Sequence, residues 1–425
     1  MAALIGTRRP GPGPALDRTV PALLVKVGRY PQSHSAVGAV RSLGRLGVPV
    51  YAMVEDRFTP TALSRYLAGA LVAPSTGREP AAELAARLGE AAREVRRRTG
   101  RRAVAVATDD EAAVLLAEHA ADYAADLRLP PVPTGLPRRL ADKAALHALC
   151  RATGTPTPDT CAPADRDGLL AAADRLGFPL VLKNRAPFSR LLHPAVGHTT
   201  VVRDRAELLA RCGQHTGPLD VVAQEYLPAE GAEDWFTHLT CGPGGEPLAV
   251  FTGVKLRSWP PGGGVTTRAR AVADPALAEL AAGFCRRIGY CGVADLDWRL
   301  DPRDGRHKLV DFNPRTGAQF RLFETADGVD VVRALHLSLT GRPVPAGEQR
   351  GRGYAVGQLD LLAVASAVRH EGRPPAGLRP RRGTERAWLC ADDPLPAVAE
   401  AARFGTRAVR FAGRRAVRTV ARRPA

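Results

Sequence analysis

The stretch that most constrains the fold is residues 289–320, which read GYCGVADLDWRLDPRDGRHKLVDFNPRTGAQF. Apolar and polar residues alternate over residues 293–300 and again over 307–312. The Asp-Pro-Arg-Asp-Gly sequence between them has the composition of a reverse turn. The pattern therefore predicts two neighbouring strands joined by a turn.

Alternate residues of a strand share a face, so Asp295 and Asp297 are predicted on one face, and Asp311 and Asn313 likewise. Pairing of the strands would bring together the oxygens of Asp297, Asp311 and Asn313, with Arg315 beside them and Asp295 in reserve. Such hard oxygen ligands suit Mg²⁺, which usually takes one or two carboxylates and completes its shell with water and phosphate. The structural alternative is a hairpin with polar residues on its solvent face.

The composition indicates a globular protein with reduced thiols. The net charge is +17, but no helix-turn-helix or zinc-finger spacing accompanies it, so no specific nucleic-acid partner is predicted. The seven cysteines are scattered without a Cys-x-x-Cys pair, which argues against a zinc site or a disulfide framework. The longest apolar runs are too short to span a membrane, and the N-terminus lacks a signal-peptide h-region. A cytoplasmic location is expected.

Lysine is rare in this chain. Only five of its 60 cationic residues are lysines, at positions 26, 143, 183, 255 and 308. Where arginine is so strongly preferred, a lysine is a candidate for a compact charge on a phosphate. Lys143 opens a predicted helix, and Lys183 closes an apolar strand where an anion could neutralise it. Lys255 and Arg257 would share a strand face, which suits a carboxylate or phosphate, or is an ordinary exposed strand face.

Residues 21–130 alternate strands and helices, which favours a parallel, doubly wound sheet, and the Pro-rich segment 130–137 marks a boundary. Beyond it, Lys143, Lys183, the Gln-Glu-Tyr-Leu hinge at 224–227 and the Asp-x-Asn-Pro-Arg motif follow in order. This ordered set resembles the ATP-grasp superfamily of the carboxylate–amine ligase type, such as the D-aspartate ligases and the large chain of carbamoyl-phosphate synthase. The family usually has Glu where this chain has Asp311, which is one methylene shorter.

The resemblance implies an α/β and α+β protein. An N-terminal parallel-sheet pre-ATP-grasp domain would be followed by a two-lobed ATP-grasp domain. The implied divisions are a disordered leader at 1–20, the first domain at 21–130, the ATP-grasp domain at 131–345 with lobes of about 131–200 and 201–345, and an extension at 346–425.

The resemblance also implies site residues. The phosphate-covering loop would lie at about 184–199, with Arg185, Arg190, His193 and His198 in place of most of its glycines. Glu233 and Asp234 are alternatives for the ribose. The implied residues for ATP are Lys143, Lys183, Glu225, Tyr226, Leu227 and one of Glu233 and Asp234; those for Mg²⁺, or Mn²⁺ in its place, are Asp297, Asp311 and Asn313; the catalytic cations are Arg315, Lys255 and Arg257.

The implied reaction is ATP-dependent activation of a small-molecule carboxylate as an acyl phosphate, which an amine then attacks to form an amide. The alternative is an ATP-binding regulatory or scaffolding protein without turnover. Residues 401–425 carry eight arginines and no acid, which predicts a solvated tail or a basic helix that contacts an anionic membrane or an acidic partner. Whether the chain forms a homo-oligomer is left open by its sequence.

Overall fold

The computed structural model describes residues 13–28, 34–187, 196, 199–212, 219–261, 264–375, 377 and 383–420; the side chains of 212, 371 and 408–420 are outside that description. Three predictions therefore fall partly outside the described residues. They concern the first twelve residues of the leader, the loop residues Arg190, His193 and His198, and the tail arginines beyond Arg407.

The N-terminal part of the chain forms a five-stranded parallel sheet, as predicted. Its strands lie in the order β3-β2-β1-β4-β5. The central strand β1 is a run of four buried apolar residues, which is typical of a strand covered on both faces. The elements are β1 Ala22–Val25, α1 Ser35–Gly44, β2 Val50–Val54, β3 Gly69–Val72, α2 Ala81–Thr99, β4 Ala103–Ala107, α3 Asp110–Glu118, α4 Ala120–Tyr123 and β5 Leu127–Arg128.

Two helices then lead into a small antiparallel sheet with the strand order β6-β9-β7-β8. Asp142 caps the second of these helices by accepting a hydrogen bond from the Ala145 amide, which fixes Lys143 at the first helical position. The elements are α5 Leu136–Ala141, α6 Lys143–Thr153, β6 Thr160–Cys161, α7 Arg166–Leu176, β7 Leu180–Asn184, β8 Thr200–Val202, α8 Arg205–Cys212 and β9 Val221–Glu225.

The rest of the chain builds a seven-stranded sheet in the order β14-β13-β10-β11-β12-β15-β16, in which only β15 and β16 pair in parallel. Short 3-10 turns occupy Pro243–Gly245 and Phe320–Leu322. The elements are β10 Glu233–Cys241, β11 Pro247–Trp259, β12 Val265–Ala271, α9 Pro275–Ile288, β13 Gly292–Asp301, β14 Arg306–Asn313, α10 Val331–Leu339, β15 Gly353–Ala355, α11 Gly357–Glu371, β16 Glu385–Arg386 and α12 Leu395–Val420.

The two faces of the large sheet bury different cores. One face packs against α6 and α9, with Leu239, Leu296 and Trp298 in its cluster. The other contributes Phe236 and Phe251 to a cluster shared with α1, α10 and the N-terminal sheet. Because the second face continues into this shared core, polar side chains farther along it lie next to the N-terminal domain.

Two parts of the chain are more ordered than its sequence predicts. Leu16 and Val20, which belong to the predicted disordered leader, are buried in the shared core. The C-terminal extension supplies β15 and β16 to the large sheet and a buried ion pair to α1, in which Arg41 Nε lies 2.9 Å from Asp393 Oδ2. Long-range pairing of this kind leaves little local signal in the sequence.

The final helix α12 begins against the N-terminal domain. Arg403 pairs with Asp56, and Arg407 lies 2.6 Å from Glu400. Phe404 packs against the shared core. The described side chains at the start of the tail therefore contact the folded protein, whereas the sequence predicted a solvated tail or a basic helix that contacts a membrane or partner. No described helix has both the length and the apolar character needed to cross a membrane.

Candidate active site

The acidic residues singled out from the sequence face one another across β13 and β14. In the antiparallel register Asp297 lies opposite Asp311, and Asp295 lies opposite Asn313. Directly opposed residues of paired strands point to the same side of a sheet, so all four side chains share one face. The alternation thus gave the correct pair within each strand, and a register shift between Asp297 and Trp298 places the two pairs opposite each other.

Three of the five lysines converge on these acids from three different elements. Lys143 Nζ, at the start of α6, donates a hydrogen bond to Asp311 Oδ1. Lys255 of β11 lies 2.7 Å from Asp297 Oδ1. Lys183 Nζ, near the end of β7 in the small sheet, lies 3.4 Å from the Val310 carbonyl oxygen. The small sheet, helix α6 and the large sheet therefore each contribute a lysine to one centre, which is called the acidic centre below.

The charged groups at this centre change one another's pKa values. Burial lowers the pKa of Lys183 to about 8, although Asp311 opposes that effect. Burial disfavours the charged form of Asp311, but Lys143 and Lys183 hold the pKa of its carboxyl below the usual value. Burial raises the pKa of Asp297 against the pull of Lys255. Such mutual perturbation is typical of functional sites, where charges are concentrated before a ligand arrives.

The donor set fits a magnesium ion that also binds phosphate. Asn313 Nδ2 donates a hydrogen bond to the Asp295 carbonyl oxygen at 3.1 Å, so the amide oxygen is left as the free acceptor. Among the described residues no three His, Cys, Asp or Glu side chains form a metal-binding group. Two carboxylates and one amide oxygen suit Mg²⁺, which keeps its other positions for water and phosphate oxygens.

Arg315 lies between two carboxylates. Its Nη1 lies 2.8 Å from Asp295 Oδ2, and its Nε lies 3.4 Å from Asp110 Oδ1 in the N-terminal domain. The following Thr316 amide donates to the Ala107 carbonyl oxygen at 3.1 Å, which ties the loop after β14 to the end of β4. The Arg315 guanidinium is thereby held at the junction of the two domains.

The Asp295 carboxylate contacts Arg315 and His238, and the candidate metal ligands are the other three residues of this face. His238 of β10 is fully buried, and its Nε2 lies 3.1 Å from Asp295 Oδ1. Burial opposes ionisation of Asp295, but His238 and Arg315 hold its pKa well below the usual value. Sequence reasoning missed His238 and Asp110. His238 shares the alternation of β10 with Asp234, which is a signal for its face, whereas Asp110 opens α3 far from the acidic strands in sequence.

Gly317 allows the close approach of this loop to β10. A β-carbon at this position would collide with His238 and lie 2.8 Å from the Asp295 carboxylate. We expect Gly317→Ala to destabilise the protein by about 1–3 kcal/mol, as overpacking does, and to lower any activity that depends on Arg315. Thermal unfolding of this variant beside Gly357→Ala, where the added methyl meets no atom within 4 Å, checks the expectation. Equal unfolding midpoints would contradict it.

The prediction that Lys255 and Arg257 share a regular strand face is wrong. The register of β11 against β12 shifts on both sides of Arg257, so Lys255 lies opposite Ala269 and Arg257 opposite the adjacent Arg268. Arg257 Nη1 instead lies 2.7 Å from Asp360 in α11. The irregular pairing separates the two cations and leaves Lys255 as the one at the acidic centre.

The predicted Gln-Glu-Tyr-Leu hinge begins within β9 and continues beyond its end. Glu225 pairs through Oε1 with Arg303, and its Oε2 accepts a hydrogen bond from the Asp159 amide at 3.2 Å. Leu227 is buried, and Tyr226 is half-buried. The Glu225 side chain is thus committed to protein contacts, so hinge recognition of a base would use its main chain.

The register also separates the two ribose candidates. Asp234 lies opposite Arg299, which shares a face with Asp297 and Asp295. Glu233 points to the other face, where its Oε2 accepts a hydrogen bond from Trp235 Nε1 at 2.8 Å. The geometry therefore favours Asp234, although its pairing with Arg299 at 2.7 Å has to open for a hydroxyl to bind.

An apolar cavity lies on the far side of Arg315. Its lining includes Ala107 of β4, Leu116 of α3, Tyr290 before β13, and Thr316 after β14. The acidic centre itself does not line this cavity. Arg315 also lines the cavity and so separates it from the acidic residues.

No protein-family model matches the chain. The D-aspartate ligase of Enterococcus faecium (strain Aus0004) is 22% identical over 238 residues, which cover 54% of this chain and 56% of that protein. The match thus spans little more than half the length of this relative.

Solved structures align over more of the chain. N5-carboxyaminoimidazole synthetase from Staphylococcus aureus has a TM-score of 0.57 at 12% identity, covering 78% of this chain and 80% of that one. L-amino acid ligase from Bacillus licheniformis has a TM-score of 0.55 at 18% identity, covering 76% and 75%. Biotin carboxylase from Campylobacter jejuni has a TM-score of 0.57 at 14% identity, covering 76% and 72%. The chain therefore shares the fold of these three proteins, the ATP-grasp fold.

Proposed function

We propose that this protein is an ATP-dependent ligase that activates a carboxylate as an acyl phosphate and joins it to an amine. One observation carries the proposal. Asp297, Asp311 and Asn313 share one sheet face, and Lys143, Lys183 and Lys255 converge on it from three elements. A face that combines oxygen ligands for a divalent cation with compact cations suits a nucleotide polyphosphate.

Each group has a separate task in this proposal. Asp297, Asp311 and Asn313 would hold Mg²⁺, which offsets the charge of the ATP phosphates when bound. Lys143 and Lys183 orient the phosphate chain, and they give up their present contacts with Asp311 and the Val310 carbonyl to do so. Phosphoryl transfer depends mainly on such positioning and charge compensation.

Arg315 stabilises negative charge that develops at the reacting carbon and phosphorus. It is fixed by Asp295 at 2.8 Å and by the main chain of its own loop, so little reorganisation is needed. Its salt bridges raise the pKa of the guanidinium against the effect of burial, so it stays charged throughout. Lys255, 2.7 Å from Asp297, completes the positive side of the centre.

The remaining ATP contacts are assigned from position. Asp234 takes the ribose hydroxyls, and the main chain beside Glu225 and Tyr226 reads the adenine edge, with Leu227 packed under the ring. The comparisons support this arrangement at the level of fold. One similar structure, a biotin carboxylase domain of Hydrogenobacter thermophilus at 16% identity and a TM-score of 0.55, was solved with MgADP and bicarbonate.

The test is release of ADP and phosphate from Mg-ATP in the presence of pooled amino acids and small carboxylates. Turnover that requires particular pool members and disappears in Lys183→Ala supports the ligase. Tight ATP binding without turnover in any pool favours the alternative of a regulatory or scaffolding protein. Absence of ATP binding would overturn both.

The pKa of Lys183 gives this proposal a pH signature. Because that pKa is about 8 in the free protein, the Lys183 amino group is mostly protonated and charged below pH 8 and mostly neutral above it. The dissociation constant for Mg-ATP should rise about tenfold between pH 7 and pH 9, since binding requires the charged form. Calorimetric titration across this range measures the change.

Lys183→Arg is the matched control, because a guanidinium keeps its charge over the whole interval. Its affinity for Mg-ATP is expected to vary little between pH 7 and pH 9, even if it is weaker throughout. The same pH dependence in both proteins would exclude Lys183 as the phosphate contact.

A further inference from the structure

We infer that Asp110 of the N-terminal domain binds the ammonium group of the amine substrate and accepts its first proton. This inference rests on the proposed ligase function and extends it to the second substrate. The chemical class it names is a primary amine that is protonated in solution, such as an amino acid or a lysine side chain.

Position is the first support. Asp110 is the first residue of α3, but the adjacent Asp109 does the capping, accepting a hydrogen bond from the Ala112 amide at 2.7 Å. The other Asp109 oxygen accepts from the amides of Val27 and Gly28 at 3.0 Å. The helix start is therefore satisfied without Asp110, whose carboxylate is free to point toward Arg315.

The second support is an unfilled acceptor. Asp110 Oδ1 is buried and receives no hydrogen bond within the described part of the chain, although Arg315 Nε lies 3.4 Å away. A buried carboxylate oxygen without a donor is costly. A cationic N–H donor that arrives beside Arg315 would relieve that cost, and an ammonium group is such a donor.

The surrounding charges match this role. Burial raises the pKa of Asp110 to about 6, while Arg315 opposes that effect, and Asp311, Lys143 and Asp109 also act on it. The carboxyl is thus ionised at neutral pH and yet more basic than an ordinary aspartate. Arg315 lies 3.4 Å from Asp110 and 2.8 Å from Asp295, and so connects Asp110 to the acidic centre.

Amide formation starts from an acyl phosphate held by Arg315. The ammonium gives one proton to the Asp110 carboxylate, and the nitrogen lone pair forms the bond to the acyl carbon. The carbon–oxygen bond to phosphate then breaks, and its electron pair leaves on phosphate. The second nitrogen proton passes to the released phosphate, so an amide and inorganic phosphate are formed.

A positioning role is the rival explanation, because Asp110 also faces Arg315. The two explanations differ for a nucleophile that carries no charge. Hydroxylamine is mostly uncharged at neutral pH and traps acyl phosphates as hydroxamates. The reaction with hydroxylamine needs Arg315 and the acidic centre as much as the reaction with an amine does. Hydroxylamine has no ammonium group, so its reaction needs no carboxylate to bind that group or to accept its proton.

The experiment measures amide and hydroxamate formation by the full chain carrying Asp110→Asn, with a carboxylate that supports ADP release. The ratio of amide to hydroxamate should fall about 10-fold to 100-fold, the loss expected when a hydrogen bond to a charged group is removed. Glu111→Gln, which removes the same charge one residue later in α3, serves as the control and should keep the wild-type ratio. Free amino acids and Nα-acetyl-lysine, tested in parallel, identify which ammonium is used.

The outcomes separate the two levels of the proposal. Equal loss of both products in Asp110→Asn would overturn the ammonium role and leave Asp110 as a support for Arg315. An unchanged ratio with unchanged rates would also overturn it. Absence of hydroxamate from the wild-type protein with every carboxylate would instead remove the ligase function on which the inference rests.

Discussion

Asp311→Asn should lower the rate of ADP release about 100-fold to 1,000-fold and raise the Mg²⁺ concentration needed for half-maximal turnover. The substitution keeps the shape of the side chain but removes one of the two carboxylates opposed across β13 and β14. It also removes the partner that Lys143 contacts before ATP binds. Loss of one preorganised group that compensates charge in an active site typically costs about two to three orders of magnitude in rate.

Turnover and Mg-ATP affinity are measured across a magnesium titration. Asp304→Asn is a suitable control, because Asp304 lies in the turn between the same two strands and is 39% exposed. That variant should behave like the wild-type protein. Asp311→Asn with normal turnover and normal Mg-ATP affinity would remove the metal assignment.

Asp393→Ala is expected to cost about 3–5 kcal/mol of folding free energy, the range for removing one partner of a buried ion pair. Asp393 is 1% exposed and accepts hydrogen bonds from Arg41 Nε, Ser64 Oγ and the Arg65 amide, each within 2.9 Å. Without it, Arg41 in the middle of the shared core keeps its charge and loses its carboxylate.

Chemical or thermal unfolding of the purified variant measures this loss. Asp392→Ala is the neighbouring control. Its side chain is 44% exposed, and its salt bridge to Arg45 is therefore worth only about 1 kcal/mol or less. Replacing Arg41 and Asp393 together with leucine should recover part of the loss, because no unpaired charge is then buried. A single Asp393→Ala variant as stable as Asp392→Ala would show that the ion pair does not anchor the C-terminal extension.

Part of the acidic centre could be predicted because its geometry is local. Period-two alternation within each strand puts Asp295 with Asp297 and Asp311 with Asn313. The register shift between Asp297 and Trp298, which brings Asp311 opposite Asp297, leaves no signal in that alternation. The rarity of lysine supplied an independent signal, since Lys143 and Lys183 stand out against a background of arginine. The parallel order of the first domain followed equally from alternating strands and short connections.

The rest depends on contacts that no local pattern encodes. A register shift redirected Arg257 to Asp360, which lies 103 residues further along the chain. Asp295 was predicted only as a reserve ligand, and its contact with His238 depends on the pairing of β10 with β13. The choice between Glu233 and Asp234 likewise required the register of a strand that is distant in sequence.

Both edge strands of the large sheet, β14 and β16, are protected from pairing with another chain. On one side β14 is partly covered, because the Leu309 amide donates to the Pro156 carbonyl oxygen at 2.8 Å and Thr157 Oγ1 donates to the Leu309 carbonyl oxygen at 2.9 Å. On the other, β16 is only two residues long, and both are charged. Edge strands that are short, charged or covered resist pairing with another chain. The C-terminal extension thus shields β12 from becoming an open template for strand addition.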